Sequence, residues 1–237
     1  MLFLATFVRS AIGFGEALVA VPILALIIPI QVAAPVAVLI SITVAAVVLV
    51  GDWRHVHLRS ASRLILSTLI GTPLGLLLLT RISTDLVKAC LGLAILAFSC
   101  YSLARHRLAK LQDDRLAWAF GFSAGVLGGA YGMNGPPLAV YGTLRGWSAQ
   151  SFRATLQGYF LPASMMSMAG YWAAGLWNSE VTHYYLASLP GVAVAMFLGR
   201  LSTGRMDTAA FLRWVNVALI VVAGVLLVQA FWNQRLG

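Results

Sequence analysis

One acid interrupts a long apolar run near the start of the chain. Glu16 directly follows Gly13-Phe14-Gly15 within AIGFGEALVAVPIL, residues 11–24. A carboxyl group in apolar surroundings needs a proton, a cation or water beside it. Glu16 therefore has two readings: a helix-start carboxylate meeting N–H groups freed by the break, or a proton-coupling group. Arg9, seven residues earlier, is a candidate cation or a simple anchor. A second cluster, Asn134-Gly135-Pro136-Pro137, lies within GVLGGAYGMNGPPLAVY, residues 125–141. Asparagine offers both donor and acceptor, and the two prolines remove N–H groups and stop the helix from closing. We read this stretch as lining a site. Arg153 and Gln157 are four residues apart, which puts them on one helix face; Arg153 is either a snorkelling anchor or a ligand for an anion, whose oxygens a guanidinium meets with paired donors.

Other chemistry is poorly supplied. His55 and His57 share a basic loop with Asp52 but have no third ligand nearby, and Cys90 and Cys100 lack metal-type spacing. The four histidines lie outside the apolar cores or at their ends, so no nucleophile–base pair sits inside one. The reading is a protein that is not an enzyme and holds no metal or cofactor. It has no nucleotide-binding P-loop, so active transport would draw on ion gradients; a passive channel is the alternative, and an intramembrane enzyme a weaker one.

The elements that carry these residues are hydrophobic blocks. Of 237 residues, 60% are hydrophobic and only 10% charged, with a mean hydropathy of +0.89, far from soluble composition. Eight blocks stand between loop signals, at about 2–29, 32–50, 62–80, 84–104, 116–143, 154–174, 181–199 and 207–231. Most approach the ~20 residues a bilayer span requires, which predicts an all-α polytopic membrane protein. The first and fifth are broken by the glycine clusters. Gly71-Thr72-Pro73-Leu74-Gly75 should let helices approach closely; Tyr141, Tyr159 and the methionines at 165, 166 and 168 read as packing. The net charge of +9 lies in short loops, as membrane insertion requires, and not on a nucleic-acid-binding face. No basic region precedes the first block, so it does not read as a cleaved signal peptide.

The order of features repeats. Gly13 matches Gly132, Gly51 matches Gly170, and TRIST (80–84) matches GRLST (199–203), all at one offset of 119. If all eight blocks span, the basic residues outside the first block divide eight against seven, and no orientation follows. If the two broken blocks instead dip in and return, twelve fall on one side (Arg54, Arg59, Arg63, Arg105, Arg107, Lys110, Arg115, Arg145, Arg153, Arg200, Arg205, Arg213) against Arg81, Lys88 and Arg235. The second split obeys the positive-inside rule. It predicts two inverted repeats, each a re-entrant glycine-broken unit followed by three transmembrane helices: residues 1–104, a basic cytoplasmic linker at 105–115, and residues 116–237. In carriers built this way, broken helices mark the substrate site.

FVRSAIGFGEALVAVPIL, GGAYGMNGPPLAVY and FRATLQGYF resemble the sulfite exporter TauE/SafE family, also called the toluene sulfonate uptake permease family. The resemblance covers essentially the whole chain. It implies a multi-pass carrier of the bacterial inner membrane for small anions (sulfite, sulfonates or related organosulfur compounds), coupled to protons. It also implies that FRATLQGYF enters the bundle, where Arg153 and Gln157 would meet the anion; the two breaks, with Gly13, Phe14 and Gly15 on one side and Asn134, Gly135 and Pro136 on the other, are read from the residues themselves as lining the site, with Glu16 as the candidate proton-coupling group. The residue after Gly15 is usually small or aromatic in this family; here it is Glu16. The expected partners are the anion and the lipid bilayer, with no nucleic acid; a homodimer is left open, as is the direction of transport.

Overall fold

The structure, a computed structural model, describes residues 1–104, 111, 113–202 and 208–236. Arg105, Arg107, Lys110 and Arg205 of the charge count lie outside the described residues, as does most of the 105–115 linker. Among the described residues there are ten α-helices, one 3-10 turn and no strand. The first block is two helices, α1 (Leu2–Ile12) and α2 (Glu16–Leu24), followed by α3 (Ile30–Asp52), α4 (Leu58–Arg81) and α5 (Thr84–Leu103). The fifth block is again two, α6 (Ala117–Tyr131) and α7 (Gly135–Leu144), followed by α8 (Ala149–Ala173), α9 (Ser179–Ser202) and α10 (Thr208–Leu236).

Four of these helices, α3, α4, α5 and α9, are long and apolar enough to cross a membrane. The 25-residue α8 has the length but carries its polar residues inward: Thr155, Gln157, Ser164 and Ser167 are all buried, whereas Met165 and Trp172 face outward. A helix with its polar side turned to the centre of an apolar bundle needs something polar there to meet.

Both broken blocks turn back on themselves. Gly13 and Gly15 have φ of 103° and 100°, a region that costs any residue with a Cβ but not glycine. Gly13 ends α1 by donating its N–H to the carbonyl of Arg9 at 2.6 Å, and Gly132 ends α6 the same way on Gly128 at 2.8 Å. Leu2 and Ala5, near the start of α1, share an apolar cluster with Val19, Ala20, Ile23 and Leu24 of α2. The ring of Phe120, near the start of α6, lies 5.5 Å from that of Tyr141, near the end of α7; along a continuous helix those two residues would be about 30 Å apart. Each block is therefore a helical hairpin with its break at the tip.

The other helices hold the hairpins. α9 packs along α1 and α4 along α6, while α3 pairs with α8 and α5 with α10. The α4–α6 seam is the tightest, for a local reason. Gly71 and Gly75 of α4 face Gly121, Gly125 and Gly129 of α6, so the two backbones touch: a Cβ on Gly75 would run into the Val126 carbonyl, and one on Gly129 into that of Thr72. Gly129→Leu should cost on the order of 1–3 kcal/mol or more through overpacking, while Ile70→Ala on the exposed side of α4 should be near neutral. Thermal unfolding of the purified protein separates the two; equal midpoints would mean that the seam is not under compression.

The second hairpin is also latched at its base. Buried Asp114, just before α6, accepts hydrogen bonds from Tyr141 Oη at 2.7 Å and Ser60 Oγ at 3.0 Å. Arg145 Nε lies 3.2 Å and Arg63 Nη1 3.9 Å from the same carboxylate. Burial pushes this carboxyl up, but the two hydroxyl donors and the two arginines outweigh it and hold it below the usual aspartate range. A depressed folded-state pKa adds stability above the ordinary aspartate pKa of about 3.9 and loses it as pH falls through the folded value. Asp114→Ala should thus destabilise the protein by about 1.5–3 kcal/mol at neutral pH. The deficit relative to the wild type should shrink in unfolding curves taken below about pH 4; a deficit independent of pH would show that the charge is not the source.

Candidate functional site

The tips of the two hairpins meet at a small cavity. Its walls are Gly15, Glu16, Ala17 and Leu18 from the first break, Gly132, Asn134 and Gly135 from the second, Arg9 from α1, Ser41 from α3 and Phe160 from α8. Its volume of about 20 Å³ is room for one water.

Arg9 is at the centre of the polar contacts. It is 3% exposed and Glu16 is 2% exposed. One terminal nitrogen, Nη1, donates to Glu16 Oε2 at 2.5 Å and to Ser41 Oγ at 2.8 Å; the other, Nη2, donates to Gln157 Oε1 at 2.7 Å. The planar fork permits this three-way engagement. Phe160 lies under the guanidinium, with Cζ 4.8 Å from the ring centre, a favourable cation–π placement. The remaining carboxylate oxygen of Glu16 accepts from Thr6 Oγ1 at 2.8 Å. Gln157 Nε2 donates to the carbonyl of Gly13 at 2.8 Å, so it ties α8 to the first break, and Ser164 Oγ bonds Ser41 Oγ at 3.1 Å.

Two buried donors at the cavity are poorly matched. Among the described residues Arg9 Nε has no hydrogen-bond partner, and Asn134 Nδ2 has nothing better than a loose approach to the Tyr159 hydroxyl. Unpaired buried donors are uncommon in folded chains, and two such side chains lining one cavity suit an acceptor-rich guest. The start of α2 adds further donors. Residues 16–18 carry the N–H groups that no helical carbonyl reaches. In α7, Pro136 and Pro137 remove two such groups, so Gly135 offers the only N–H before Leu138.

The residues singled out in the sequence are distributed unevenly around this centre. Glu16, Gly15, Asn134 and Gly135 line the cavity, and Gln157 reaches it through Arg9. Gly13 supplies the carbonyl that Gln157 holds. Pro136 is buried in the first turn of α7. Phe14 points to the other side of the tip, edge-on to Phe98 and Phe152 at 6.5 and 6.0 Å, and lines a separate pocket with Val8, Ser102 and Asn216. Arg153 is half-buried and is not among the cavity's lining residues: its aliphatic stem lies against Gly13, where a Cβ would collide with Cγ. Among the described residues it makes no hydrogen bond or ion pair. The His57 ring stacks on Trp147 at 5.4 Å, and its backbone N–H donates to Thr155 Oγ1 at 3.0 Å.

Thr6, Ser41, Ser164 and Phe160 join the site without a motif of their own. Ser41 had a signal, as one of two polar residues in the block 32–50; Thr6 and Ser164 look like ordinary helix residues in sequence.

Apolar spanning helices around a buried ion pair and a polar cavity make this a multi-pass membrane transporter in architecture. A family model for the sulfite exporter TauE/SafE family matches residues 1–227, and the chain belongs to that family. Its members are membrane transporters and not enzymes, so the lipid bilayer and a small anion are the chain's partners. No curated protein and no solved structure matches the chain significantly.

Proposed function

We propose that the protein is a secondary carrier that moves one small anion of the sulfite or sulfonate kind together with a proton across the bacterial inner membrane. The observation that carries the reading is the Arg9–Glu16 pair, buried at the junction of both breaks. With no anion bound, Glu16 occupies the guanidinium. An incoming anion competes for Arg9, and the displaced acid then needs another partner in apolar surroundings, which a proton supplies. Anion binding and proton binding are then linked. Arg9 is the cation that touches the anion in this reading, and Gln157, Ser41 and Asn134 supply neutral donors. Arg153 braces Gly13 at the first break.

The same proposal divides the chain into residues 1–104 and 116–237 as inverted repeats joined by a cytoplasmic linker. It is supported by the twelve-to-three charge split, by both broken blocks folding back, and by the exchange of partners in which α1 lies on α9 and α6 on α4. Reporter fusions should place Arg115 in the cytoplasm and Gly237 outside; the same side for both would sink the topology.

The function is tested with the full chain in proteoliposomes. Sulfite, methanesulfonate and acetate are offered in turn, with and without an inward proton gradient. A proton-driven accumulation of at least one of them supports the carrier. Flux that only follows the anion gradient, and never exceeds it, would make the protein a passive pore.

A further inference from the structure

The charges facing the cavity can be taken element by element. α1 contributes Arg9 and α2 contributes Glu16; α3 contributes Ser41, the second break Gly132, Asn134 and Gly135, and α8 Phe160 with Gln157 behind Arg9. Among the described residues two tyrosines of α8 also stand close by: Tyr159, with its hydroxyl on Thr68 at 2.5 Å, and Tyr171, which donates to the Gly128 carbonyl at 2.9 Å beside Gly132. Arg153, one turn before Gln157, lies behind Gly13 and does not line the space. The cavity thus holds one fixed cation and one acid. It is neutral as the structure shows it, and carries a single positive charge once Glu16 is protonated.

We propose that the site selects by charge: it accepts monoanions and rejects dianions of the same size. This rests on the reading of the cavity as the anion site. A monoanion on Arg9, with the proton on Glu16, leaves the buried set neutral. A dianion leaves a whole negative charge uncompensated in apolar surroundings, the costly case for any buried ion. The helix starts at the cavity soften that cost without cancelling it. They act as fractional charges, and Pro136 and Pro137 strip two of the donors from the α7 end. Neutral donors on Gln157, Ser41 and Asn134 add hydrogen bonds for either anion, so they do not restore the missing charge. A bound monoanion and its proton also make the loaded site electrically silent as it crosses.

The test uses methanesulfonate and sulfate, tetrahedral oxyanions of similar size carrying one and two negative charges. Binding to the purified full chain is measured by calorimetry for the wild type, Glu16→Gln and Arg153→Ala. Methanesulfonate should bind at least about 100-fold more tightly than sulfate, the ratio a single uncompensated charge implies. Glu16→Gln holds the cavity at one positive charge whatever the pH, and should keep the same preference. Equal binding of both anions would overturn the charge rule and leave the site reading intact. Sulfate binding that disappears in Arg153→Ala would overturn it as well, by showing a second cation within reach. Binding of neither anion, in protein whose unfolding curve is cooperative, would remove the site reading and the rule with it.

Discussion

Arg9→Ala should reduce anion transport to the background of empty vesicles. The guanidinium bonds Glu16, Ser41 and Gln157 together, so its removal deletes the anion's counter-charge and unties three helices at once. It also leaves Glu16 buried without a cation. Removing one partner of a buried pair costs about 3–5 kcal/mol, enough to unfold a marginal protein, so inactivity of Arg9→Ala alone would not separate binding from folding. Two further variants do. Arg9→Ala with Glu16→Gln removes both charges, and should regain much of the stability while remaining unable to bind. Arg9→Lys keeps the charge but replaces the fork with a single ammonium; it should stay folded and lose about 10–100-fold in affinity, in line with two lost charge-assisted bonds. Counterflow in proteoliposomes, paired with thermal unfolding, reads both quantities. Normal transport by Arg9→Ala, together with loss in Arg153→Ala, would move the cation role to Arg153.

Glu16→Gln should abolish the pH dependence of transport while retaining anion binding. An amide has nearly the shape of a protonated carboxyl group and, like it, carries no charge. In the variant the carboxylate no longer competes for Arg9, so the anion should bind as well as it does to the wild type at low pH, or better. Coupling requires that the proton leave again, and glutamine has none to give. Accumulation driven by a pH gradient should therefore vanish, while exchange of labelled for unlabelled anion continues. Uptake by inside-out vesicles over a pH series measures this. A wild-type pH profile in the variant would reduce Glu16 to a stabiliser of the α2 start.

The sequence exposed the helical plan and hid the wiring of the site. The glycine clusters at 13–15 and 132–135 stood out because they interrupt runs in which almost every neighbour is apolar, and both are breaks in the structure. The arginine count favours first and fifth blocks that dip in and return, and both are helical hairpins in the structure; the sidedness that the count implies belongs to the proposal. Helix starts were harder. The block at 154 begins at Ala149 in the structure because Ser148 caps it, accepting the N–H of Ser151 at 3.2 Å, and the block at 62 begins at Leu58, among polar residues that belong to the helix end. The partners of Arg9 were out of reach altogether. Ser41 is 32 residues away and Gln157 is 148, and no local period records a contact that exists only when α1, α3 and α8 converge. The resemblance drew attention to Arg153 and Gln157 as a pair, yet the turn of helix between them carries Gln157 to the cavity and leaves Arg153 behind Gly13.

The spacing of Arg9 and Glu16 also bears on how the chain is made. A lone charge entering the bilayer costs at least about 2.5 kcal/mol, and the block that carries Arg9 is made before the helices that later hold it. Ser41 follows only with the next helix, and Gln157 with the sixth block, more than a hundred residues later. The hairpin turn at Gly13–Gly15 makes two opposite charges only seven residues apart into neighbours, so they can enter lipid as one neutral couple. The later helices then close around a pair that is already matched. Moving the acid out of the first block would leave the final cavity with the same charges but strand Arg9 during synthesis, and membrane insertion would suffer before transport did.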